Sequence, residues 1–449
     1  LAYNADPREI VESRALLSEP LFRNLWLTQG LAQTAQNAIL FSLLVVILDI
    51  TNSSVHTSFL ILCFVLPSIP LGFIVGVILD RVSKSYTLVL TSLARASACL
   101  LFFFFHTDAW VIYAISVGFA TAGLFFNPAL VSLIPSLVSR ERLVPANSLY
   151  NFTLIGSQLF GIVFVAPILL KSVGPSGMFL TAAGLFGLTA LLAARLRGKV
   201  QERETQHMPE GAIFGGIPTE FRESWRTLIS DRYSVLALVQ LITSSTLVLL
   251  FAILIPRYMK DVLEISPDNA AFVFAPTGIG ALVGLRFIPW FVRKGKNRAV
   301  VIGLLGIGAC LVLLALVEPL ADVTRQAPGE LNPARILRIS LLQLLTMSFA
   351  GPMGFFYALL NAPAQTILHE RAPPEMRGRI FATQVVSANF MSLLPLLAVG
   401  AITDLVNITV VLLLLAAIVT GIAALSALVG GAELPTEQEE ERSPQEVGT

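Results

Sequence analysis

The stretch GVILDRVSKS, residues 76–85, sets an ionised Asp80-Arg81 pair directly after about two dozen apolar residues. Arg81 and Lys84 are what a short loop needs to stay on the cytoplasmic side of a membrane. That rule requires no acid, so Asp80 is the residue topology leaves unexplained.

The rest of the chain has the composition this loop implies. Of 449 residues, 55% are hydrophobic and 13% charged, with a mean hydropathy of +0.77, which belongs in a bilayer rather than in water. The net charge of +1 offers no electrostatic footprint for nucleic acid. Cys63, Cys99 and Cys310 fall in separate apolar runs, odd in number and too far apart for metal-ligand spacing, so they read as packed thiols. The opening LAYNADPREIVESRALLSEP lacks the basic and apolar regions of a signal peptide, so the first apolar run is expected to be kept as a span.

Crossing a hydrocarbon core takes ~20 mostly apolar residues. Twelve such windows fit, at 23–49, 56–79, 86–105, 109–134, 148–170, 175–195, 234–256, 268–292, 299–317, 338–364, 379–403 and 406–429. Loops after the even-numbered spans hold eighteen Lys and Arg against six in loops after the odd-numbered ones, which puts both termini in the cytoplasm. The expected organisation is a cytoplasmic segment 1–22, a six-helix bundle 23–195, a cytoplasmic linker 196–233, a second six-helix bundle 234–429 and an acidic disordered tail 430–449. Within the linker, FRESWRTLISD spaces Phe221, Trp225 and Leu228 as an interfacial amphipathic helix would; an unstructured charged linker is the alternative.

The halves echo each other. NPALVSLIPSLVSRER (127–142) closes the fourth window and NAPAQTILHERAPPEMR (361–377) the tenth, and at an offset of 235 Pro128, Ala129 and Arg142 meet Pro363, Ala364 and Arg377. LGFIVG (71–76) likewise pairs with GALVGL (280–285), glycines four apart in each. Two parallel six-helix repeats are a transporter architecture.

On these residues the chain resembles the major facilitator superfamily. Gly76, Asp80, Arg81 and Lys84 match its Gly-x-x-x-Asp-Arg-x-x-basic signature between spans 2 and 3. VSRERLVPANSLYNFTLIGSQ and NAPAQTILHERAPPEMRGRIF are similar to the branch with macrolide-type drug efflux proteins and the enterobactin exporter. The resemblance implies an all-α integral membrane fold, twelve helices in two pseudo-symmetric bundles, with spans 1, 4, 7 and 10 lining a central cavity. It also implies that Asp80 sits against the start of span 11, near Gly378–Phe381, as a latch on the inner gate; helix-end N–H groups would favour its charge by ~0.3–2 kcal/mol. One departure weakens antiport: span 5 reads GSQLFGIVFVAP, with Ile162 after Gly161 where the family's exporters commonly place proline.

Residues able to do chemistry inside the membrane are few. Arg95 and Arg286 are the two basic residues within spans, about 14 Å and 10 Å from a membrane face at ~1.5 Å per residue. Arg286 could snorkel, whereas Arg95 must find acceptors inside the protein or face water. None of the 29 acidic residues lies mid-membrane, leaving Asp49, at a span end, as the coupling candidate. Neutral polar residues are plentiful. Gln29, Gln33 and either Gln36 or Asn37 share a face of span 1, and the implied lining adds Asn127, Gln240, Ser244, Tyr357 and Asn361, with Asn151, Gln158 and Gln384 from flanking spans. Each could line a cavity or tie helices together.

No loop of the Gly-x-x-x-x-Gly-Lys-Ser/Thr type cradles ATP, and His56, His106, His207 and His369 are scattered, so no cofactor, metal or catalytic site is expected. The reading is a secondary transporter without enzymatic activity in a cell (inner) membrane. It is expected to export a small amphiphilic compound by alternating access, as a monomer, with H+ the candidate coupling ion. Alternatives are a lysophospholipid or lipid transporter, marked by a lateral opening beside Arg95, and a non-transporting receptor or scaffold.

Overall fold

A computed structural model describes residues 16–139, 142–196, 222, 225–293, 295–326, 340–372 and 377–430. Among them every regular element is a helix: α1 (Pro20–Thr51), α2 (Ser54–Val65), α3 (Ser68–Arg81), α4 (Lys84–Phe105), α5 (Ala109–Leu137), α6 (Leu143–Phe160), α7 (Ala166–Ala194), α8 (Arg232–Asp261), α9 (Ala270–Val292), α10 (Lys296–Ala315), α11 (Val317–Gln326), α12 (Leu341–Arg371), α13 (Arg377–Leu405) and α14 (Ile408–Val429). A five-residue π turn, Gly161–Val165, joins α6 to α7, and a 3-10 turn, Pro267–Asn269, leads into α9.

The expected spans map onto these elements with two local surprises. Span 2 is built from α2 and α3 end to end, broken at Leu66-Pro67 because a proline has no N–H to continue the ladder. Spans 5 and 6 run through α6, the π turn and α7, and they separate where Gly174 takes φ 69°, ψ −178°, ahead of Pro175. Among the described residues eleven helical stretches are each long and apolar enough to cross a membrane, and α6 with its π turn supplies the twelfth crossing. Helix starts carry their signals: Asp108 accepts from the N–H groups of Trp110 and Val111, Ser340 and Gln343 form a capping box, and Asn407 accepts from Thr409 N–H. Outward-facing apolar side chains such as Leu394, Leu405 and Leu428, each more than three-quarters exposed, are stable only against lipid.

Each set of six spans packs on itself. In the first half α1 lies against α5, α6 and α7, and α4 against α5 and α7; in the second, α12 lies against α8, α9 and α10, and α14 against α10. The glycine repeat seen in sequence is not a repeat in packing. An added Cβ on Gly280 would fall 1.8 Å from the Gly351 carbonyl oxygen, so α9 and α12 meet backbone to backbone. At Gly72 it would meet only Val386 Cγ2, at 3.5 Å, in the other half. The halves meet where α13 runs along α2 and α3, α8 touches α1 and α2, and α9 reaches the π turn. Of the linker segment, residues 225–230 are helical with Leu228 buried, and the tail 431–449 lies outside the described residues.

Candidate functional site

The polar stripe of span 1 fans out to three different neighbours. Gln29 donates to the Tyr150 carbonyl (2.9 Å), Gln33 to Asn127 Oδ1 (2.8 Å), and Gln36 accepts from Arg95 Nη1 (3.2 Å), while Asn37 turns back to the Gln33 carbonyl (2.8 Å). The second half repeats the central tie, since Asn361 of α12 donates to Ser244 of α8 (2.8 Å), just as Gln33 of α1 meets Asn127 of α5. In each half the first and fourth spans are thus joined through the asparagine of the Asn-Pro-Ala or Asn-Ala-Pro-Ala repeat. Gln240 is turned away from that tie: it is fully buried and donates to Asn297 Oδ1 (3.0 Å), whose amide reaches the Ser426 carbonyl (2.9 Å). It binds α8 to α10 and α14. Tyr357 lies half-buried one turn before Asn361, Gln384 is buried, and Gln158 is exposed.

Arg95 is fully buried in the first half. Its guanidinium carbon lies 4.7, 5.5 and 5.8 Å from the ring centres of Phe126, Phe186 and Phe119, and Gly123 leaves room for Nη2. Desolvated cation–π contacts of ~2 kcal/mol and the Gln36 bond offset part of its burial. Nε and Nη2 have no hydrogen-bond partner among the described residues. Arg286, by contrast, is exposed on α9, and Asp49 is exposed at the end of α1.

Of the gate motif, Gly76, Asp80 and Arg81 belong to α3 and Lys84 opens α4, but the side chains of Asp80 and Arg81, like that of Asn151, lie outside the described residues. The expected Asp80 contact with Gly378–Phe381 therefore stays an expectation.

At the other end of the same helix pair a carboxylate does meet a helix N-terminus. Asp404, at the C-terminal end of α13, accepts from Ser53 Oγ (2.5 Å), Ser54 N–H (2.7 Å) and Val55 N–H (3.1 Å), the open N-terminus of α2. Arg257, 3.9 Å from Asp404 and held by Asp261 at 2.5 Å, donates to the Asn52 carbonyl (3.2 Å), and Lys260 donates to Asn52 Oδ1 (2.9 Å). Asn52 presents both groups from a left-handed conformation, φ 49°. Beside this cluster Gly400 lets the backbones close: a Cβ there would meet Ser58 Oγ at 2.1 Å and the Ser54 carbonyl oxygen at 2.9 Å. Lys171 and Asn269 add one more cross-half bond on this face. Among the described residues, the remaining side-chain hydrogen bond between halves is Asn389 to Ser68 (2.8 Å), about 20 Å below Ser54 along α2 and α3 at ~1.5 Å per residue.

On the opposite face, where the basic loops lie, the ion pairs among the described residues stay within halves. Glu19, ahead of α1, holds Arg142 at 2.6 Å, and Asp231, ahead of α8, lies 3.8 Å from Arg371, whose guanidinium also covers Tyr233 at 4.6 Å. Burial pushes the Asp231 carboxyl up, but bonds from the Ser234 hydroxyl and the Ser234 and Tyr233 N–H groups, with Arg371 nearby, hold it below its usual range. Glu19 thus braces the start of α1 to the cap of α6, and Asp231 the start of α8 to the end of α12.

The sequence model of the Major Facilitator Superfamily matches residues 25–330. The chain belongs to this superfamily. Among its relatives, the multidrug efflux pump Tap of Mycolicibacterium fortuitum is 22% identical over 376 residues, covering 80% of this chain and 83% of that protein. The MFS-type transporter YfiS of Bacillus subtilis (strain 168) is 23% identical over 417 residues, covering 88% and 91%. Of the solved structures, the nucleoside transporter NupG has a TM-score of 0.71 at 11% identity, covering 92% of this chain and 100% of that one. A bacterial homologue of the human lysosomal transporter Spinster, solved inward-facing and unoccupied, has 0.68 at 13%, covering 93% and 99%. The expected family and fold hold, and the superfamily makes this a multi-pass membrane transporter.

The Asp404 cluster was not singled out in the sequence. Its signals were there in retrospect: an acid ending the helix expected to receive Asp80, and Asn52-Ser53-Ser54 as a helix-start motif.

Proposed function

We propose that the protein is a secondary exporter of small amphiphilic compounds that works by alternating access, with the basic face in the cytoplasm of a cell (inner) membrane. The observation that carries this reading is the separation of contacts. Among the described residues each half is internally braced on the basic face, while the cross-half polar bonds gather on the opposite face around Asp404. Such a cluster is what two rigid bodies rocking about a midplane need in order to hold the outer gate shut.

In the cycle Asp404 and Asp80 trade places. α2 and α3 run antiparallel to α13, so each end of the pair offers a carboxylate from one helix to the N-terminus of the other. Closing the outer gate makes the Asp404 bonds, and closing the inner gate makes those of Asp80 with the start of α13. The substrate meets the faces of α1, α5, α8 and α12 near the Gln33–Asn127 and Ser244–Asn361 ties. Neutral amides, Tyr357 and a Phe-rich surround suit an amphiphile better than a strongly charged solute. The relatives named as multidrug efflux pumps support the direction. Arg95 is enclosed on every side, so the opening beside it that lipid movement would call for has no support.

The test is accumulation of a panel of fluorescent amphiphilic dyes in cells stripped of their own pumps, with and without an ionophore that collapses the proton gradient. Wild-type protein should lower accumulation of at least one dye, and Asp80→Asn should abolish that effect. Equal accumulation with wild type, Asp80→Asn and empty vector for every dye would overturn the proposal.

A further inference from the structure

On the basic-face half of α9, side chains at i, i+4 and i+7 line one edge of a cleft of about 630 Å³. Arg286 and Arg293 stand at its two ends, about 10 Å apart along the axis, with Trp290 between them. Phe287 and Phe291 of α9 pack on Phe355 of α12 at ring separations of 6.3 and 6.0 Å and give the cleft an apolar floor. Both arginines are exposed, as are Phe287 (49%) and Trp290 (54%), although Arg286 lies within a membrane span. Among the described residues neither arginine has an ion-pair or hydrogen-bond partner, whereas Lys296, on the next helix, is neutralised by Glu370.

From these observations we infer that the cleft is a binding site for an anionic phospholipid of the basic-face leaflet. The phosphodiester sits between the Arg286 and Arg293 guanidinium groups, and an acyl chain lies over Phe287, Phe291 and Phe355. Three features select this ligand. A guanidinium about 10 Å inside a span must either snorkel or meet an anion that enters the hydrocarbon, and a lipid phosphodiester reaches that depth where a soluble phosphate does not. The apolar floor needs a tail attached to that anion. A tryptophan at this depth marks the headgroup boundary, where paired cations recognise anionic lipid. The lipid is a resident of the outer surface of the second half rather than cargo, so the inference needs only the membrane placement and not the transport reading. Because α9 and α12 touch backbone to backbone at Gly280 and Gly351, occupancy of the cleft would bear on the packing of these two spans.

The experiment is native mass spectrometry of the purified full chain titrated with phosphatidylglycerol, phosphatidylethanolamine or phosphatidylcholine, for wild type, Arg286→Gln, Arg293→Gln, the double variant and the control Arg195→Gln, an exposed arginine that caps the C-terminus of α7 in the first half. Monodispersity in size-exclusion chromatography establishes folding. Wild type should prefer phosphatidylglycerol, either single variant should weaken that lipid about fivefold and the double variant about thirtyfold, with Arg195→Gln unchanged. A folded double variant that keeps the preference would overturn the inference. So would an equal loss in Arg195→Gln, which indicates a diffuse surface charge effect, or a wild-type dimer that the double variant abolishes, which indicates that a second chain covers the cleft.

Discussion

Replacing Asp404 by Asn keeps the size of the side chain and removes its charge. The carboxylate accepts three hydrogen bonds from the start of α2, two of them backbone N–H groups at a helix N-terminus, and faces Arg257 at 3.9 Å. Asparagine keeps one acceptor oxygen and turns an NH2 group towards part of the same donor set. A charge at a helix N-terminus is worth about 0.3–2 kcal/mol, and a charge-assisted hydrogen bond exceeds a neutral one by about 1 kcal/mol. With 23% of the side chain exposed, the Arg257 term is small. The sum is about 1.3–3 kcal/mol against the proposed shut outer gate, which raises the open-to-closed ratio there by about ten- to a hundredfold. Spin labels at Phe105 and Val410, exposed outer-end positions in opposite halves, would report it as growth of a longer distance population in reconstituted protein. Asp108→Asn is the control, because Asp108 caps α5 with the same chemistry on the same face but entirely within the first half. If Asp404→Asn leaves the distances unchanged, or Asp108→Asn moves them as far, the latch argument is wrong.

Other outcomes follow from the same geometry. Gly400→Val should also open the outer gate, because rotating Ser58 relieves one clash but not that with the Ser54 carbonyl; thiol reactivity of a cysteine placed at Ser58 should rise. Gln36→Leu strips Arg95 of its hydrogen-bond acceptor and should cost about 1–3 kcal/mol of stability. Arg95→Met, which removes the buried charge itself, should cost less, and adding it to Gln36→Leu should restore the thermal midpoint. Asp231 has its folded pKa below the unfolded value, so its contribution is complete above the unfolded pKa and is lost as pH falls through the folded one. Thermal midpoints of wild type should therefore drop more steeply than those of Asp231→Asn below about pH 4.

The twelve crossings could be read from sequence because each is an apolar window long enough to span hydrocarbon; Asn127 and Asn361 stood out as polar residues in a visible repeat, but not as the partners of Gln33 and Ser244. The break at Leu66-Pro67 and the π turn at Gly161 were less legible, since a window of apolar residues carries no signal of how its backbone bonds are dealt out. Periodicity put Gln29, Gln33 and Gln36 on one side of a helix but could not name three separate partners. It was equally silent on Gln240, which faces α10 and α14. Arg95 was correctly forced to seek acceptors inside the protein, yet its main surroundings, three phenylalanine rings from α5 and α7, are contacts no spacing rule anticipates. Asp404 was missed for the same reason: its partners are about 350 residues away in the chain.

The two ends of the α13 pairing face different solutions. In the proposed orientation Asp404 meets the outside medium and Asp80 the cytosol. Salt screens a partly exposed charge within about 8 Å at physiological strength and within about 3 Å at 1 M. Raising it on both sides weakens both latches together and should leave the resting balance nearly fixed. Raising it outside alone weakens only the outer one, so vesicles with unequal salt should shift the label distances in one direction and reverse them when the gradient is reversed. The transporter would then register the ionic contrast across its membrane.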